Sequence, residues 1–87
     1  MGTRSRQAPA ATVEPIRATR KALAELVEAS RLEEALPLAR FVLREVEALE
    51  RAGFTRPVRS SDLALCHWVV ENSERARAVL LSPLAPA

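Results

Sequence analysis

The chain has 87 residues, of which 48% are apolar and 28% charged, and its formal net charge is +2. That length holds one hydrophobic core, because domains commonly run to about 100–150 residues, and the composition is globular rather than disordered. No run of about 18 apolar residues is available to span a membrane, no secretory leader is expected, and the single cysteine, Cys66, excludes an intrachain disulfide.

Sixteen Ala, twelve Arg, only two Gly and no Tyr predict an all-α protein. A lone thiol points to a fold that stands on packing alone, as expected in a reducing cytoplasm. The charge is uneven along the chain. Residues 1–21 carry Arg4, Arg6, Arg17, Arg20 and Lys21 against Glu14 alone, whereas residues 22–50 hold seven Glu against three Arg. Residues 51–87 are basic again. Such asymmetry suits either simple solubility or an arm for an acidic partner.

Residues 1–12 are polar, basic and without hydrophobic periodicity, so they read as a disordered basic arm. A single helical domain is expected over residues 13–82. Pro15 fits a first helical turn, with Thr12 or Glu14 as cap, and Ile16, Leu23, Leu26 and Val27 then line one face of a helix ending near Ala29.

Ser30, followed three residues later by Glu33, matches a capping box, so a second helix starts almost at once and the pair should form an αα-hairpin. Pro37 inside the second helix should kink it or isolate residues 31–36, and Gly53 is a natural residue to follow its end. Leu32, Leu36, Ala39, Leu43, Val46 and Leu49 form the main stripe. Leu38 and Phe41 point to the opposite side, which predicts a sandwiched helix or a partner-facing one.

Phe54–Arg59 reads as a loop, since Arg56 precedes a proline. Ser60 or Ser61, with Asp62 in the first turn, should cap a third helix. Its apolar residues Leu63, Leu65, Cys66, Trp68, Val69 and Val70 cover most of the circumference, predicting the most buried element of the fold. Asn72 or Ser73 should break it, leaving a short fourth helix over Glu74–Leu81 and a frayed tail over residues 83–87.

A shift of 43 residues places Ser30 on Ser73, Ala35 on Ala78, Leu26 on Val69 and Glu28 on Glu71, so helix, break and helix recur in phase. The stretch Leu23–Leu43, LAELVEASRLEEALPLARFVL, resembles a tetratricopeptide repeat of the longer-spaced kind found in kinesin light chains. The resemblance covers about 20 residues and rests on the Leu-Ala-x-Leu pattern at Leu23–Leu26 and on Arg31–Leu38. It implies a helical hairpin with an interaction role, Ala35 and Ala78 being the small residues that pack between helices. Ser30 stands where such repeats usually have Gly, and a solenoid needs about three repeats, so no peptide-binding superhelix is implied.

No catalytic constellation emerges. Cys66 and His67 are adjacent and diverge by about 100° on a helix, so they do not chelate one metal, and no further Cys or His completes a site. The Glu residues read as a solvated face, and no glycine-rich phosphate loop is present. The expectation is therefore a small all-α bundle of two αα-hairpins, with three to four helices. It should act as a self-associating protein-interaction or adaptor module without catalysis, cofactor or small-molecule substrate, through an interface of Leu38, Phe41 and Trp68. The alternative is a nucleic-acid-associated accessory protein, a small regulator or phage packaging component, whose Arg4, Arg6, Arg17, Arg20 and Lys21 touch phosphates.

Overall fold

The computed structural model describes residues 6–81, with side chains through Arg75. Among the described residues the protein is all-α: α1 spans Ala10–Glu28, α2 Leu32–Arg51 and α3 Ser60–Leu81. Three residues join α1 to α2, and the two pack as a helical hairpin. α3 packs on α2 as well, so α2 is the middle element. The hydroxyl of Ser73, late in α3, meets the carbonyl of Leu32, at the start of α2, which sets α3 antiparallel to α2.

α1 begins at Ala10, earlier than the arm boundary at residue 12. Two alanines favour the helix, and the Pro9 carbonyl accepts from the N–H groups of Thr12 (2.9 Å) and Val13 (3.1 Å). The extension adds Val13 to the buried stripe of Ile16 and Leu23. Pro15 therefore lies inside the helix instead of opening it. Ahead of α1, Arg6 bridges Phe54: its carbonyl accepts the Thr55 N–H at 2.6 Å, and its guanidinium lies 5.2 Å from the centre of the Phe54 ring. Residues 1–5 of the expected arm, residue 82 of the expected domain and the expected tail over residues 83–87 lie outside the described residues.

The junction between α1 and α2 is not built as a capping box. Ser30 has φ 59°, its N–H donates to Val27, and the N–H of Arg31 reaches back to Leu26 at 2.8 Å. This is a Schellman termination of α1, with Ser30 in the left-handed position and Arg31 as the residue preceding α2. Gly53 ends α2 in the same way at φ 87°, with Phe54 N–H donating to Leu49 at 2.9 Å. α2 passes through Pro37 as one helix, so residues 31–36 are not a separate turn.

The core consists of Ile16 and Leu23 from α1, Ala35, Ala39, Val42, Val46 and Leu49 from α2, and Cys66 and Val69 from α3. α2 supplies most of it because it has a neighbour on each side. α3 is not the most buried element: it rests mainly on α2, so Leu63, Leu65 and Val70 are only half-buried. Nor does it break at Ser73. The Asn72 side chain donates to the Trp68 carbonyl one turn back (2.8 Å), and the Ser73 hydroxyl is satisfied by Leu32 at 3.3 Å, so neither competes with the helix backbone. Glu74–Leu81 is thus the end of α3 rather than a fourth helix, and the second half of the 43-residue repeat has no break. Of the pair Leu26 and Val69 matched by that shift, Val69 is fully buried and Leu26 half-buried.

Candidate functional sites

Two surfaces differ from an ordinary solvated helical face. The first is the outer side of α3. Cys66, Val69 and Ser73 turn inward to α2, and the 100° step per residue sends Ala64, His67, Trp68 and Glu71 outward. Trp68 is 46% exposed and is the one large hydrophobic residue so exposed among the described residues. Leu38 and Phe41, expected beside it in an interface, are half-buried and pack against the core. The three expected anchors thus differ in cover: Leu38 and Phe41 pack against the core, and Trp68 is the most exposed of the three.

The second surface lies where the N-terminal half of α1 meets the loop between α2 and α3. Antiparallel packing brings the start of α1 beside the end of α2. There Arg17 Nε donates to the Pro57 carbonyl at 3.2 Å, and Arg20 approaches Asp62 at 3.7 Å. Arg56 is held by Glu50 at 2.8 Å and donates to the Ser60 hydroxyl at 3.2 Å. The Arg59 N–H donates to Asp62 at 3.1 Å, so Asp62 secures the first turn of α3. Ser60 contributes through its contact with Arg56. Two adjoining cavities of about 270 and 330 Å³ share Arg17, Arg56 and Pro57; Arg20, Val58, Arg59 and Asp62 complete the second.

Of the expected basic set, Arg17 and Arg20 lie in this cleft, Arg6 covers Phe54 near it, and Lys21 is exposed without lining it. Arg4 lies outside the described residues. Arg56 and Arg59 did not enter the expected set. The Arg-Pro-Val-Arg loop is visibly basic in the sequence, but which helical turns it meets is set by how α1, α2 and the loop pack.

Cys66 has no exposed surface, and burial, with a smaller contribution from the Asp62 charge, pushes its thiol up to about 11. It is a packing residue beside an exposed His67. Among the described residues no three His, Cys, Asp or Glu side chains gather as metal ligands, and no helix is long and apolar enough to cross a membrane. Compared with family models, curated proteins and solved structures, the chain matches none.

Proposed function

We propose that the chain is a small helical protein-interaction module that self-associates through the outer face of α3. The observation that carries this reading is Trp68, a large indole left 46% exposed on a helix whose opposite side is already buried. An exposed Trp on a rigid helix is a favourable anchor, because it gains much contact area at small cost in side-chain entropy, and Trp is enriched among residues that dominate interface energies. The chain also has few residues from which to build a core, a situation that association commonly relieves. The tetratricopeptide-like stretch is consistent with an interaction role: Ala35, its small inter-helix residue, is fully buried in the α1–α2 hairpin. A reducing, cytoplasmic setting suits its single buried thiol.

Trp68 is the only Trp, so its fluorescence reports directly on the surface in question. Raising the protein concentration should shift its emission to the blue as light scattering shows a larger species. Trp68→Ala should weaken association more than tenfold, with helicity unchanged and a melting temperature that no longer rises with protein concentration. A wild-type chain that stays monomeric with unshifted emission at high concentration would overturn the reading.

A further inference from the structure

The arginine cleft between α1 and the α2–α3 loop points to a ligand of different chemistry. We propose that it binds the phosphate backbone of a nucleic acid without reading its bases. The groups facing the cleft are the guanidinium groups of Arg17, Arg20, Arg56 and Arg59, against the carboxylates of Asp62 and, behind Arg56, Glu50. Cations exceed anions there, and the four arginines come from two segments far apart in sequence: Arg17 and Arg20 from α1, Arg56 and Arg59 from the α2–α3 loop. The fold, not a local run of charge, makes the concentration.

The arginines are also oriented. Arg17 is fixed by the Pro57 carbonyl, and Arg56 by Glu50 and the Ser60 hydroxyl. Arg20 is held only at 3.7 Å from Asp62, and no ion pair of Arg59 occurs among the described residues. A guanidinium carries five N–H donors in a planar fork, so one engaged by a single carbonyl or carboxylate keeps donors for a phosphate oxygen. Two cavities joined through Arg17 and Arg56 form an extended recess that suits a chain of phosphates better than one small anion. The only aromatic ring nearby, Phe54, is covered by Arg6, so the cleft offers no platform for base stacking. Backbone contact without base contact positions a nucleic acid but does not select its sequence.

The test is fluorescence anisotropy of the full chain with a fluorescein-labelled, mixed-sequence DNA duplex of about 20 base pairs at several salt concentrations. Binding should be equal for unrelated sequences and fall steeply with salt, with a logarithmic slope near −0.9 per phosphate contacted. Arg59→Ala should weaken binding several-fold and lower the slope by about 1, with the melting temperature unchanged. Arg59→Glu should weaken it further. Arg44→Glu, which makes the same charge change on the exposed middle of α2, should leave binding nearly as it was. Trp68→Ala should also leave it unaltered, separating this site from the association surface. Absence of binding at low salt would overturn the proposal. So would equal losses in Arg44→Glu and Arg59→Glu, a strong preference for one sequence, or competition by inorganic phosphate at concentrations too low to act as salt.

Discussion

Cys66 occupies a place that only a small apolar side chain fills, between Val69 and the buried face of α2. Adjacency to His67 is an accident of order along the helix: one side chain is buried and the other exposed. The sequence showed that no second thiol was at hand, but not which side of α3 would be covered, because apolar residues surround that helix. Burial has a consequence for pH. The folded thiol is raised to about 11 from an ordinary value of 9.0, so the unfolded chain loses its proton first as pH rises. Folding therefore keeps its full stability from this group below pH 9 and loses it progressively from pH 9 to 11, by about 2–3 kcal/mol at most. Denaturant titrations should show that fall in the wild type and a shallower one in Cys66→Ala. Equal alkaline losses in both would place the effect elsewhere.

Helix ends show how far local patterns reach. Gly53 was legible as the residue beyond α2 because a left-handed position favours glycine. Ser30 followed by Glu33 read as a start signal, yet Ser30 serves the preceding helix instead, closing α1 in the left-handed region. The same few residues encode either arrangement, and the choice falls to the packing of α1 on α2, which requires an immediate reversal of the chain. A similar contest was settled at Ser73, where a partner carbonyl on α2 removes the reason to break α3. A left-handed conformation costs a non-glycine residue about 1–2 kcal/mol, while added glycine freedom in the unfolded chain returns about 0.4–1 kcal/mol of that. Ser30→Gly should thus stabilise the protein by about 0.5–1 kcal/mol, and Gly53→Ala should destabilise it by a similar amount although its Cβ would meet nothing within 4 Å. Thermal melts of the two variants moving in the same direction would exclude this account of both turns.

At the scale of the molecule, the decisive feature is that α2 lies between two neighbours. Its two apolar sides were legible from the sequence as a sandwiched helix or a partner-facing one, and α1 and α3 supply the sandwich. Ala35 and Ala39, both fully buried, let the neighbours approach closely. The gathering of Arg17 and Arg20 with Arg56 and Arg59 was not legible, because it depends on how two helices and a loop converge rather than on any spacing along the chain. The same arrangement gives Phe41 a neighbour within the chain. Expected as an association anchor, it packs on the core while remaining half-buried. A carboxylate there would forfeit apolar burial and sit beside the core, at a cost of about 2–3 kcal/mol. One kilocalorie moves the melting temperature of a domain this size by about 4–8 °C, so Phe41→Glu should lower it by about 10 °C or more. Its folded fraction should still associate as the wild type does, since Trp68 is untouched. Trp68→Ala should give the converse, with association lost, helicity preserved and the melt falling only to that of the dilute wild-type monomer. Sedimentation and circular dichroism on the two variants side by side test the division of labour. A Phe41→Glu protein that melts like the wild type but no longer associates would show that Phe41 faces a partner, and that α1 and α3 leave the second side of α2 open.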